Sequence, residues 1–219
     1  MDTTQSRKNI GFPAKRSDWN KTPAVFDDHT LKISGHPVME DWEDGYMKRL
    51  AQIATMQGGR VLELGFGMGI SAGYIQSSEN LKEHIAIECH PDVIKNAVSM
   101  YPDQIASGKM HLMSGFWEDI TPLLKDSSFD GILFDTYPLT EKEIHGNHFW
   151  FFEEAYRLLK KGGVLTYYSD EATKFSEKHL LRLKAAGFHD ITYEVVDVDP
   201  PADCEYWQDK TIIAPIVAK

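Results

Sequence analysis

Residues 61–69 read Val-Leu-Glu-Leu-Gly-Phe-Gly-Met-Gly, a short apolar run broken by one carboxylate and followed by glycines at alternate positions. The run has the length and residue types of a buried parallel strand ending at Leu64. Gly65, Gly67 and Gly69 allow positive φ and remove the Cβ atoms that would keep a ligand away from the backbone, before a helix begins. The spacing separates two readings. A dinucleotide fingerprint places its third glycine one position later, at Ile70, so that a helix N-terminus faces pyrophosphate. Here the third glycine comes early, and Glu63 puts a negative charge beside the loop. That charge opposes phosphate and suits a cationic ligand.

With 219 residues, the chain suits one α/β domain, or one domain with an N-terminal appendage. Its formal net charge of −10 argues against nucleic acid, whose phosphate backbone needs a basic face. The same field attracts a small cation. Cys89 and Cys204 are the only cysteines, too few for a disulfide framework. The opening residues carry no apolar leader segment and no run reaches membrane-spanning length, so a cytoplasmic protein without a membrane partner is expected. A monomer and a homodimer both remain open.

Residues 1–36 are polar and weakly periodic, with isolated Phe12, Trp19, Val25 and Phe26, and read as an arm or lid on a domain spanning 37–219. From Pro37 to about Met56, the positions Val38, Trp42, Tyr46, Leu50 and Ile53 recur at helical spacing, which predicts an amphipathic helix with proline in its first turn and Gly58-Gly59 at its end. Strands at 60–64, 84–88, 109–113, 130–135 and 163–168 then alternate with helices at 69–78, 92–100, 119–124, 147–160 and 174–186. That alternation predicts a doubly wound, mostly parallel sheet. Strands at 190–197 and 211–218, with no helix between them, complete seven strands as an antiparallel C-terminal hairpin. Pro215, which cannot donate to a ladder, predicts a bulge or an unpaired stretch.

Ligands of such sheets lie at the strands' carboxyl ends. Glu88 ends the second strand about twenty residues past the glycines, placed to accept both hydroxyls of a ribose, or else simply solvated. After the third strand, Phe116-Trp117-Glu118-Asp119 offers an aromatic face and acids for an adenine; as a helix start, the same acids would favour the helix dipole. The fourth strand ends in Asp135, with Tyr137 and Pro138 beyond. A carboxylate directly after a buried run needs a cation or donors to offset its desolvation. These features together suit S-adenosylmethionine, which carries a sulfonium and an ammonium but no phosphate. His145 and His148 lack the cysteines or carboxylates that would complete a metal site, so no metal is expected. Met39, Met47 and Met68 read by spacing alone as core fillers. Glu43, beside Trp42, is either a solvated helix acid or an edge of the apolar face.

The residues resemble the guanidinoacetate N-methyltransferase family, class I methyltransferases that use S-adenosylmethionine. The resemblance is carried by Pro-Val-Met-Glu at 37–40 with Trp42-Glu43 and Tyr46-Met47, Gly-Gly-Arg-Val-Leu-Glu-Leu-Gly-Phe-Gly-Met at 58–68, and Ile87-Glu88-Cys89. It continues through Trp117-Glu118-Asp119, Phe-Asp-Gly-Ile-Leu-Phe-Asp-Thr-Tyr-Pro-Leu at 129–139, Arg-Leu-Leu-Lys-Lys-Gly-Gly-Val-Leu-Thr-Tyr at 157–167 and Pro-Pro-Ala-Asp-Cys at 200–204. It implies a Rossmann-like class I methyltransferase fold in which Glu43 and Asp135 grip the guanidinium of a small acceptor, with Tyr137 nearby. It further implies a cofactor site of Trp19, Met39, Met47, Glu63, Gly65, Phe66, Gly67, Met68, Gly69, Ile70, Glu88, Cys89, Trp117, Glu118 and Asp135. Protein-arginine methyltransferases of the δ-nitrogen type are similar to the same pattern, and a non-catalytic module that only binds the cofactor is a further alternative. One departure stands out. The family binds an acceptor carboxylate at the turn after the fifth strand, where this chain has Ser169-Asp170-Glu171. Asp170 and Glu171 would oppose a carboxylate and suit a guanidine bearing a distal amine, such as agmatine.

Overall fold

The structure, a computed structural model, describes residues 10–219; the first nine residues of the expected arm, and the reading of the opening segment, lie outside them. The described part of the arm is more ordered in outline than its sequence suggests. A short helix α1 (Arg16–Trp19) leads to strands β1 (Ala24–Phe26), β2 (Thr30–Ile33) and β3 (His36–Glu40), which form a small antiparallel sheet in that order. β3 therefore crosses the boundary expected at residue 36.

The helix expected from Pro37 begins later. Pro37 sits opposite Lys32 in β3, residues 41–43 form a single 3-10 turn, and α2 runs Asp44–Ala54. Within β3, Pro37 and Met39 face inward with a period of two. A reciprocal cap then starts the turn, in which Glu40 N–H donates to Glu43 Oε1 at 2.9 Å while the Glu40 side chain accepts from the Glu43 amide. Pairing with β2 has overridden the apparent helical spacing of Val38 and Trp42. α2 buries Tyr46, Met47, Leu50, Ala51, Ile53 and Ala54, and packs on the main sheet.

That sheet is built from β4 (Gly59–Leu64), α3 (Ile70–Gln76), β5 (Leu81–Glu88), α4 (Pro91–Met100), α5 (Pro102–Ala106), β6 (Met110–Ser114), α6 (Trp117–Ile120), β7 (Phe129–Phe134), α7 (Phe152–Leu158), β8 (Leu159–Tyr167), α8 (Glu177–Ala185), β9 (Asp190–Asp197) and β10 (Thr211–Ala218). The order is β6-β5-β4-β7-β8-β10-β9, with β10 antiparallel to both of its neighbours and the other pairs parallel. Alternate residues of one strand enter different cores: Val61 and Leu133 join the cluster under α2, whereas Leu62, Leu64, Ile132 and Phe134 join the cluster under α7 and α8. Burial on both faces explains the near-continuous apolar runs.

Elsewhere the strands and helices fall near their expected places, with several ends shifted by a few residues. The helix predicted at 147–160 is a 3-10 turn (Asn147–Trp150) followed by α7, and it stops at Leu158 because Leu159 pairs with Phe129. α8 starts at Glu177, capped by Ser176 Oγ accepting from His179 N–H at 3.3 Å. At Pro215 the register with β9 runs unbroken (Pro215 opposite Tyr193), so there is no bulge on that side. The gap is on the β8 side, where only Val217 and Ala218 pair. The strand order reverses between β4 and β7, where a doubly wound sheet opens a crevice.

Candidate active site

At that crevice, the end of β4 is laced to the ends of β7 and β5. Asp135 N–H donates to the Leu64 carbonyl and Gly65 N–H to the Ile87 carbonyl, each at 2.9 Å. Gly65, at φ +85°, lies so close to the β7 end that an added Cβ would overlap the Asp135 carbonyl oxygen. Gly67, at φ +54°, would bring a Cβ to 2.8 Å from Met39 Sδ. Glu88 holds the loop from the other side. Its Oε2 accepts from Phe66 N–H at 2.9 Å and its Oε1 from His90 N–H at 2.8 Å. A carboxylate has about four acceptor positions, so Glu88 keeps capacity for further donors on the cavity side.

Over this loop lies a cavity of about 400 Å³. The carboxylates of Glu43, Glu88, Glu118, Asp135, Glu143 and Asp170 all belong to residues on its wall. Glu43 is 2% exposed and is delivered by the turn before α2. Its Oε1 accepts from Glu40 N–H and from the Tyr206 hydroxyl, which arrives on the β9–β10 connection. Burial, and then the nearby Asp135 carboxylate, pushes Glu43 up to about 8, against the opposing effect of those bonds. Burial likewise raises Glu118 and, with Glu88 beside it, the Cys89 thiol.

The described arm crosses the same cavity. Trp19 is buried and stacks on Tyr137, with centroids 5.3 Å apart and planes 9° apart. His36 Nε2 lies 2.7 Å from the Gly11 carbonyl, which can only accept, so that nitrogen carries a proton. In the neutral ring, Nδ1 then accepts from the Tyr137 hydroxyl at 2.9 Å. Arg16 reaches both oxygens of Asp119, at 2.9 and 2.7 Å, lies 3.3 Å from Glu118 and covers the Phe116 ring at 4.4 Å. Trp117 sets its edge against Phe134 and Phe151.

Of the residues expected at the site, Trp19, Met39, Glu43, Gly65, Gly67, Glu88, Cys89, Trp117, Glu118, Asp135, Tyr137 and Asp170 line the cavity. Met47, Glu63, Phe66, Met68, Gly69, Ile70 and Glu171 do not. Glu63 is wholly buried beneath the loop, accepting from Ser71 Oγ at 2.5 Å with His84 Nε2 3.0 Å away. Its charge is held inside the fold and does not face a ligand. Met47 is core on α2, and Phe66 turns its ring under Gly69 toward Tyr101. Met68 contributes its amide, 3.3 Å from Met39 Sδ, while Gly69 precedes α3 and Ile70 begins it. Glu171 is drawn away by the Ser176 amide and His179 Nδ1, at 3.1 and 3.3 Å. His145 lies 3.2 Å from Asp170, and His148 is buried against Tyr167 and His179. Among the described residues no cluster of His, Cys, Asp or Glu could hold a metal ion, and no helix is long and apolar enough to cross a membrane. Sequence reasoning missed Tyr206 and Tyr168. No local signal marks Tyr206, which lies 163 residues from its partner Glu43.

The site suits S-adenosylmethionine on its own chemistry: a glycine turn, Gly65 and Gly67, on the cavity wall, a carboxylate at the end of β5, and anionic walls for a sulfonium and an ammonium. Fold and site together define a class I S-adenosylmethionine-dependent methyltransferase. The family model of guanidinoacetate N-methyltransferase matches residues 13–219, so the chain belongs to that family. Among curated proteins, protein arginine N-methyltransferase 2 of Aspergillus oryzae is 29% identical over 236 residues, covering 98% of this chain and 54% of its own length. Its namesake in Yarrowia lipolytica is 31% identical over 176 residues, covering 75% of this chain and 35% of its own length. The chain thus spans about half, or less, of these relatives. Spermidine synthase from Thermotoga maritima has a TM-score of 0.60 at 16% identity, covering 90% of this chain and 72% of its own. The O-methyltransferase TomG from Streptomyces achromogenes, solved with SAM, has a TM-score of 0.54 at 17% identity, covering 80% of each chain. These two share the fold.

Proposed function

We propose that the protein transfers a methyl group to a guanidino nitrogen of a small cationic molecule. The observation that carries this reading is the pair Glu43 and Asp135 on one cavity wall, close enough for each to feel the other's charge. Cofactor binding alone needs no such pair, which weighs against a non-catalytic module. S-adenosylmethionine, when bound, supplies an electrophilic methyl group; positioning and proton handling fall to the side chains. A guanidinium is planar and delocalised. Carboxylates on two elements fix that plane through charge-assisted hydrogen bonds. Asp135 abuts the glycine loop through the Leu64 bond, so it is the carboxylate beside the reacting nitrogen, and it takes the proton which that nitrogen sheds. Glu43, held by Tyr206 and the Glu40 amide, orients the other nitrogens.

Asp135→Asn keeps the shape and removes the base. Its turnover is expected to fall by about 100-fold or more, with cofactor affinity much less affected. Near-normal turnover would remove Asp135 from that role. The names of the curated relatives favour a second reading, in which the guanidino group belongs to arginine in a protein. A screen with labelled cofactor decides between them by comparing guanidinoacetate, agmatine, free arginine and arginine-containing peptides. Label entering peptides in preference to the small guanidines would select the second reading.

A further inference from the structure

Where β8 ends, successive tyrosines turn to opposite faces. Tyr167 points into the core under α8, its hydroxyl 2.7 Å from His179 Nε2. Tyr168 points the other way, edge-on to Tyr46 at 5.3 Å, and lines the active cavity. Its amide is used, donating to the Phe134 carbonyl at 3.0 Å. Its hydroxyl is buried and has no hydrogen-bond partner among the described residues. An unsatisfied buried hydroxyl costs on the order of 1–3 kcal/mol, so its place on a ligand cavity calls for a ligand that satisfies it. Two residues on, Asp170 lines the same cavity from a left-handed backbone position, φ +55°, with its side chain 11% exposed.

The charges around this end exclude one kind of ligand. Six carboxyl side chains border the cavity, and the one Lys or Arg among its described lining residues, Arg16, is engaged by Asp119 and Glu118 at the α6 side. The imidazole on this side, His145, lies against Asp170 itself. Burial, and then Glu43 and Asp170, hold the Tyr168 hydroxyl un-ionised, so it stays a neutral donor and acceptor. An acceptor bearing a carboxylate would bring a further negative charge beside Asp170.

We propose that Tyr168 and Asp170 form a specificity site for the end of the acceptor remote from the guanidino group, and that this end carries an ammonium. The ammonium donates to the Asp170 carboxylate and to the Tyr168 hydroxyl oxygen, while the guanidinium occupies Glu43 and Asp135. The substrate class is thus an ω-guanidinoalkylamine without a carboxylate. The inference rests on the guanidino-methyltransferase reading and is tested separately from it.

The test measures kcat/KM, and binding by calorimetry to protein loaded with S-adenosylhomocysteine, for agmatine, ethylguanidine and guanidinoacetate. Agmatine is expected to exceed both of the others at least about ten-fold, the scale of one charge-assisted contact. Asp170→Asn and Tyr168→Phe, the latter keeping the ring against Tyr46, are each expected to reduce the agmatine-to-ethylguanidine ratio several-fold. Asp170→Asn should also improve guanidinoacetate binding. Equal use of ethylguanidine and agmatine, an unchanged ratio in both variants, or a preference for guanidinoacetate overturns the specificity site and leaves the guanidino reading standing. Cofactor binding with no turnover of any guanidine overturns that reading, and the specificity site with it.

Discussion

At Glu43 the site stores a charge that it does not keep until a cation arrives. With its carboxyl pushed up to about 8, the residue is protonated in the empty cavity at neutral pH, and a guanidinium must displace that proton. Acceptor affinity is therefore expected to rise about ten-fold per pH unit up to about pH 8 and then level off, since only the ionised form binds a cation. Calorimetry in buffers of different ionisation enthalpy should report close to one proton released per acceptor at pH 7; no release would contradict the raised carboxyl. The sign for stability runs the other way. A carboxyl whose folded pKa lies above its unfolded value near 4.5 binds more protons when folded, so its contribution is complete below that value and is lost as pH climbs toward 8. Glu43→Gln can still accept from Tyr206 and the Glu40 amide but does not titrate. It should melt close to wild type at pH 5 and above it at pH 8.5, at roughly 2–4 °C per kcal/mol recovered, while losing acceptor binding. A variant that melts lower at pH 8.5 would show that the buried charge was not the cost.

Individual elements bring the pair together from distant parts of the chain. Glu43 comes from the turn between β3 and α2, Asp135 from the end of β7, and Tyr206 from the β9–β10 connection. Because the Tyr206 hydroxyl favours ionised Glu43, Tyr206→Phe is expected to move the acidic limb of the pH–rate profile upward, by about one unit; an unmoved limb would mean that the bond does not reach the chemistry. The β4 turn was legible in sequence because glycines at 65, 67 and 69 have few other uses after an apolar run, and Asp135 because a carboxylate ending a buried strand needs a reason. Glu63 misled for the same reason: a charge near the loop in sequence points down into the fold, toward Ser71 and His84, because alternate strand residues face opposite layers. The start of α2 misled because Val38 and Trp42 have helical spacing by coincidence, and only pairing with β2 reveals β3. Tyr206 and Tyr168 were not legible, since their roles depend on which strands become neighbours and no spacing encodes that.

Across the whole molecule, the small sheet and the segment from Gly11 to Trp19 close the mouth of the cavity that the large sheet opens. The closure has two parts of different strength. Arg16 is about 40% exposed, and its pairs with Glu118 and Asp119 are worth under about 1 kcal/mol in water, with a similar amount from its stacking on Phe116. Trp19 is buried and stacks on Tyr137, which His36 holds in place, and both rings line the same cavity as Asp135. We propose that this segment is a lid: weakly latched at Arg16, so that it can open, and sealed by Trp19, so that a guanidinium and its carboxylates meet in a low dielectric when it shuts. Arg16→Ala should then raise the dissociation rate of S-adenosylhomocysteine several-fold, with an effect that shrinks as salt screens the wild-type pairs. Deleting residues 1–24 should lower both cofactor affinity and turnover by about ten-fold or more. If the deletion leaves affinity and rate unchanged while the Asp135→Asn loss persists, the seal lies in the large sheet alone and the arm has no part in catalysis.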